Sequence, residues 1–144
     1  MEAARVTEAP FHFAFFVKDL QSTREFYVDT LGCLEGRSAE TWVDFDFFGN
    51  QISADTTGPV VATQNTGIVD GVAVPMPHFG AILPWNAFNS IAARIRKAGI
   101  AFVIEPMIRF EGEPREQATM FVLDHSGNAL EFKSFRHPEH AFTA

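Results

Sequence analysis

Hydrophobic and polar positions along the chain fall into two successive runs of the same order. Phe11–Val17 is almost continuously apolar and stops at Lys18-Asp19, the pattern of a buried strand. Asp19 can cap a helix. Leu20, Phe26, Tyr27 and Leu31 then recur near helical spacing up to Gly32, which stands where a left-handed C-terminal residue is wanted. Cys33–Ser38 has poor periodicity and adds at most a short strand. Thr41–Phe48 alternates, with Trp42, Asp44 and Asp46 against Val43, Phe45 and Phe47, and Gly49-Asn50 turns the chain into Gln51–Ala54. The first run therefore predicts strand, helix, hairpin. Thr56–Pro77 holds three Gly and three Pro, keeps no amphipathic period, and reads as a connecting loop with room for one short strand. After it the order returns. His78–Leu83 is strand-like, and Phe88, Ile91, Ala92, Ile95 and Ala98 form a helical stripe closed by Gly99. Ile100–Arg109 is β-rich, and Ala118–Leu123 and Ala129–Phe135 flank the turn cluster Asp124-His125-Ser126-Gly127-Asn128.

The two runs superpose. His12 precedes Gly32 by 20 residues and His78 precedes Gly99 by 21, while the turns Gly49-Asn50 and Gly127-Asn128 open the last strand of each half. Gly32 to Gly49 is 17 residues and Gly99 to Gly127 is 28, so the second half carries 11 more, assigned to a loop in Met107–Gln117 where Gly112 and Pro114 lie. The prediction is an α+β fold within a single domain, residues 1–144: module one at about 11–55, a connecting loop at 56–77, module two at about 78–135 and a tail at 136–144.

Composition narrows the function. Lys and Arg total 11 against 18 Asp and Glu, a formal charge of -7, and no basic run exists to neutralise phosphates, so no nucleic-acid partner is expected. No apolar run approaches the roughly 18 residues of a membrane span, so no membrane partner is expected either. Cys33 is the single cysteine, which removes intrachain disulfides and thiolate metal cages, and Met1–Pro10 has no apolar signal-peptide core. A cytoplasmic protein is the expectation. Phe occurs 16 times and Tyr once, so interior aromatic surface mostly lacks a hydroxyl that could donate a proton.

Superposition places His12 on His78 and Ser53 on Glu131, the last two each three residues after the Asn of their turn. Strand alternation puts His12, Ala14 and Phe16 opposite the apolar Phe11, Phe13, Phe15 and Val17, and puts Glu131 opposite Leu130 and Phe132. All three polar side chains thus face away from the layer that takes a helix. Singly, each has a structural reading: a lone His at the start of an apolar strand is more often a hydrogen-bonded core residue, and Glu131 an outward strand side chain. Jointly, two imidazoles and a carboxylate form a donor set suited to divalent iron, with zinc, manganese, nickel and cobalt as competitors, and three ligands leave open positions for substrate.

Phe11-His12 through Phe16-Val17-Lys18-Asp19-Leu20, with Phe26-Tyr27 and Leu31-Gly32, resembles the opening module of the vicinal oxygen chelate superfamily. That group includes glyoxalase I, extradiol dioxygenases, fosfomycin-resistance proteins and bleomycin-binding proteins. Phe121-Val122-Leu123-Asp124-His125-Ser126-Gly127-Asn128-Ala129-Leu130-Glu131-Phe132 resembles the signature of the second module. The resemblance implies two βαβββ modules forming a cupped mixed β-sheet around a metal pocket, with ligands at His12, His78 and Glu131. Ser53 departs from the four-ligand pattern of glyoxalase I enzymes, and retention of the triad departs from the drug-binding members.

The expected function is a metal-dependent enzyme acting on a small oxygen-chelating molecule, most readily an extradiol-type dioxygenase on a catecholic substrate. The alternatives are a lyase, isomerase or thiol transferase at the same ion, and a protein that binds a hydrophobic ligand or drug. Phe16, Trp42, Asp44, Phe48 and Phe121 are the expected pocket lining, and Arg109 or Lys133 the cation that holds an anionic substrate oxygen. Asp46, Glu105 and Glu113 are further acid–base candidates, each a solvated charge by default. Tyr27 reads as packing, His125 as a turn residue, and His137 and His140 as parts of a tail where disorder is the default. A homodimer is expected, with the modules pairing within one chain or by exchange with a second copy.

Overall fold

A computed structural model of the protein describes residues 8–60 and 65–143. Strand β1 (His12–Phe16) leads through the Asp19 cap, whose carboxylate accepts the Ser22 N–H at 2.7 Å, into helix α1 (Leu20–Arg24). The helix widens into a π-helical segment at Glu25–Thr30 that buries Phe26 and Tyr27. β2 (Leu34–Ser38), β3 (Trp42–Phe47) and β4 (Asn50–Asp55) complete a four-stranded sheet in the order β1-β4-β3-β2, with β1 parallel to β4 and the other pairs antiparallel.

The region expected to be a loop instead forms the hairpin β5 (Asn65–Val69) and β6 (Val72–Met76), turning at Asp70-Gly71, where both φ values are positive. Asp-Gly between β-branched runs is a hairpin signal, and the surrounding Gly and Pro obscured it. β7 (Phe79–Ile82), α2 (Trp85–Lys97), β8 (Phe102–Arg109), β9 (Gln117–Leu123) and β10 (Ala129–Phe135) then build a second sheet, ordered β7-β10-β9-β8. The tail makes a short 3-10 turn at Pro138–His140. No helix among the described residues is long and apolar enough to cross a membrane.

A single apolar interior joins the halves, because each sheet turns its helix-bearing face toward the other. The Phe47 ring on β3 lies 6.1 Å from Phe132 on β10, and Phe13 and Phe15 on β1 lie 4.8 and 5.2 Å from Phe79 on β7. Phe88, Ile91 and Ile95 of α2 enter the same interior. At its margin the Tyr27 hydroxyl donates to Asp124 Oδ2 at 2.9 Å. Asp124 Oδ1 meanwhile accepts the N–H groups of Ser126 and Asn128, so this buried carboxylate is fully engaged. Asn128 Nδ2 donates to the Phe16 carbonyl at 3.0 Å, and the Lys18 N–H donates to Ser126 Oγ at 3.0 Å. The turn Asp124–Asn128 is therefore the polar strap between the modules.

Burial, and after it the neighbouring Asp124 carboxylate, push the Tyr27 phenol well above its ordinary value of 10.0. An acid whose folded pKa is raised adds stability that is present below the unfolded value and is lost as pH rises through the folded one. Tyrosinate absorbance from this single tyrosine should therefore stay silent through pH 10 and appear only as the chain unfolds in alkali. Tyr27→Phe removes one of the two donors to Asp124 Oδ2, the other being Asn128 Nδ2 at 3.0 Å, and chemical denaturation should show a loss of about 1–3 kcal/mol, the size of a hydrogen bond to a charged group.

Burial also pushes the Cys33 thiol up to about 12. In the native protein a disulfide reagent should leave it unreacted at pH 8, and reaction should follow the unfolding transition.

Candidate functional site

Because the core faces meet, the opposite face of each sheet points outward. On the second sheet the outward residues converge. His78, just ahead of β7, places Nε2 3.3 Å from Glu131 Oε1 on β10. The other imidazole nitrogen, Nδ1, lies 2.6 Å from the Pro75 carbonyl, which can only accept, so Nδ1 carries the proton. In the neutral ring Nε2 then presents a lone pair to a carboxylate oxygen. Two acceptors aimed at one point suit a cation between them.

Glu131 is fixed from the other side. Its Oε2 accepts the Thr119 hydroxyl at 2.5 Å, and the Phe121 ring stands edge-on to His78 at 5.0 Å. Thr119 was not among the expected site residues. Its signal was available in the alternation of β9, where Gln117, Thr119 and Phe121 share the outward face. Gly80, next to Glu131 in the parallel register, has no room for a side chain, since a Cβ would run into the Glu131 carbonyl oxygen.

His12 lies elsewhere. It is exposed on the outward face of the first sheet, and among the described residues no three His, Cys, Asp or Glu side chains form a cluster able to hold a metal ion. Phe16, which helps line a cavity of about 180 Å³ beside His78, is four residues further along β1, about 13 Å from His12 at the usual strand rise. The strand registers nevertheless relate the two halves. Ser53 pairs with Ala14, two residues after His12, and Glu131 pairs with Gly80, two residues after His78. Trp42 and Asp44 share the His12 face through their pairing with Asp55 and Ser53.

The other expected residues divide. Phe48 is not on the outward face: it occupies the turn at φ 52°, with its ring 4.8 Å from Phe47 and 5.7 Å from Phe132. The turn reverses the alternation on which its placement rested. Phe121 is buried, under β5 and β6, with Val69, Val72 and Val74 around it. Arg109 forms an ion pair with Asp70 at the tip of that hairpin, and both side chains line one cavity with Lys133.

Lys133 shares a hollow with His78 and Glu131 and also lines a cavity of about 730 Å³. The far wall of that cavity includes Arg115, stacked 3.8 Å over Phe110, and His140. The tail expected to be disordered thus brings a histidine to the Lys133 cavity, which tail composition alone could not disclose. Tyr27 is held inward, whereas His125 is exposed in its turn, with its ring edge-on to Phe26 at 5.6 Å.

The sequence pattern of the glyoxalase/bleomycin resistance protein/dioxygenase superfamily matches residues 10–132. A crystal structure of a glyoxalase/bleomycin resistance protein/dioxygenase from Alicyclobacillus acidocaldarius is 28% identical, with a TM-score of 0.76 over 96% of this chain and 100% of that one. The fosfomycin resistance protein FosX from Listeria monocytogenes is 16% identical with a TM-score of 0.66, covering 96% and 98%. A glyoxalase family protein from Bacillus anthracis is 16% identical with a TM-score of 0.62, covering 93% and 100%. These last two share the fold. No curated protein sequence matches the chain.

The Arg109–Asp70 pair tethers the hairpin over the second sheet. Arg109→Ala should raise hydrogen exchange across Asn65–Met76 while β9 and β10 keep their protection. Unchanged exchange in the hairpin would show that apolar contacts alone hold it.

Proposed function

The chain belongs to the glyoxalase/bleomycin resistance protein/dioxygenase superfamily, and from that premise we propose that it is a divalent-metal-dependent enzyme acting on a small molecule that chelates the ion through adjacent oxygens. The observation that carries this reading is the convergence of His78 Nε2 and Glu131 Oε1 at 3.3 Å, with the remaining atoms of both groups already committed to Pro75 and Thr119. A protein that only sequesters an apolar ligand has no use for that arrangement.

The third ligand is His12 of a second copy. The facing cores turn His12 and the His78–Glu131 pair to different outward surfaces. Among the described residues β1 and β7 each hydrogen-bond to one neighbouring strand, which leaves a free strand edge in each sheet. Phe11, Phe16 and Ile82 beside those edges are 60%, 42% and 51% exposed, an apolar margin of the kind a homodimer covers. A twofold dimer that sets module one of each copy against module two of the other builds two equal centres.

A divalent ion, with iron favoured, would act there as a Lewis acid that lowers the pKa of a ligated hydroxyl. The chain's own residues do the rest. Pro75 and Thr119 orient the ligands, the hairpin excludes water over Phe121, and Lys133 supplies a positive charge beside the pair. Phe16 and Trp42 offer aromatic surface to a ring, which with His140 in the Lys133 cavity supports ring opening of a catecholic substrate by dioxygen. The burial of Tyr27, whose hydroxyl is bound to Asp124, favours a second reading, lyase, isomerase or transferase chemistry that consumes no oxygen. Oxygen uptake by the iron-loaded protein with a catechol panel decides between them.

The shared centre has a direct test. His12→Ala and Glu131→Ala homodimers should each lose most of the bound metal, on the order of 10-fold or more in affinity. Mixed dimers, isolated with two different tags, should recover one ion per dimer, because one centre then receives both intact halves. Absence of recovery, or a His12→Ala homodimer that binds like wild type, would contradict the reading.

A further inference from the structure

In the second module the carboxylate of Glu131 is on the last strand and the hydroxyl that binds it, Thr119, is on the neighbouring strand. The first module reverses this. Ser53, at the position matching Glu131, is on the last strand, and its hydroxyl donates to the carboxylate of Asp44 on the neighbouring strand at 2.6 Å. Both residues are half-buried. Gly36 on β2 leaves the approach to Asp44 open, where a Cβ would already stand 3.6 Å from that of Asp44, and Asp44 borders a hollow of about 350 Å³.

The other charged groups on this face are committed differently. Asp46 accepts the Gly49 N–H at 2.8 Å, and Asp55 accepts the N–H and hydroxyl of Thr57. Arg37 borders the same hollow from β2, and His12 is assigned to the ion. Ser53 holds in module one the register position that Glu131 holds in module two, so a centre built from one module of each copy would bring the two toward each other. Asp44 would then be one hydroxyl away from whatever that centre binds. A serine hydroxyl whose proton is given to a carboxylate turns its lone pairs the other way, toward whatever occupies the centre.

We propose that Asp44, acting through Ser53, is the proton acceptor of that centre. A substrate hydroxyl held in that centre would break its O–H bond and pass its proton to Ser53 Oγ, while the original Ser53 proton would move to Asp44 Oδ1. One O–H bond is lost on the ligand and one is gained on the carboxylate, with no change in electron count. Glu131 cannot take this part, since one oxygen holds the Thr119 proton and the other faces His78. This assignment rests on the shared metal centre, and its test separates the two.

The zinc-loaded wild-type dimer is titrated with acetohydroxamate, which must lose a proton to chelate, and with oxalate, which is already deprotonated at neutral pH. Asp44→Asn should weaken acetohydroxamate binding about tenfold and leave zinc and oxalate affinity within about twofold. Calorimetry in buffers of different ionisation enthalpy should show an additional proton delivered to the buffer by this variant. Ser53→Ala should reproduce the selective loss, and Asp44→Glu should restore part of the affinity. Equal weakening of both chelators, no weakening of either, or loss of zinc itself in Asp44→Asn would overturn the proposal while the shared centre stands. A wild type that binds no zinc, or that binds it equally with His78→Ala and Glu131→Ala, would remove the centre and the acceptor together.

Discussion

The packing of two sheets core face to core face is the constraint from which the remaining architecture follows. Phe47 against Phe132, and Phe13 and Phe15 against Phe79, gather the apolar side chains of both modules into one interior that neither half could enclose alone. The same contact dictates where polar chemistry can go. A strand that commits alternate residues to the interior must commit the others outward, so His12, Ser53 and Asp44 on one sheet, and Thr119 and Glu131 on the other, are placed by the demands of the core. The Tyr27–Asp124 bond and the Asn128 and Ser126 contacts then lock the modules at one mutual position.

Alternation and helix punctuation made much of this readable from the sequence. The runs around His12, Leu20–Gly32, Thr41–Phe48 and Ala118–Phe135 carry strong periodicity because each element buries one face, and burial is what writes a period into a sequence. The hairpin Asn65–Met76 was missed because it packs over an outward face, not in the interior, so its strands lack an alternation that tells them from a loop. His78 and Glu131 were legible as a pair through the internal repeat. The committed state of Arg109 was not, since its partner Asp70 sits 39 residues earlier in a segment without periodic signal. Phe48 was misplaced by extending a strand pattern one residue into a turn.

Charge is distributed with the same economy. The chain carries a net -7, and two of the cations around the cavity that Lys133 lines are paired with anions of the same lining, Arg109 with Asp70 and Arg115 with Glu113. Among the described residues Lys133 makes no such pair, so it leaves one uncompensated positive charge there. A single ammonium attracts one small anionic group and gives no hold on an extended polyanion.

Among the described residues the β5–β6 hairpin belongs to neither four-stranded sheet, and its strands pair with each other alone. A longer or more polar turn at Asp70-Gly71 would therefore leave every register of the sheets that carry His78 and Glu131 in place, while Pro75, at the other end of the hairpin, stays bound to the His78 ring. The segment is an awning with a fixed hem: its tip is free to change reach and chemistry, and its foot is held by the histidine beneath it.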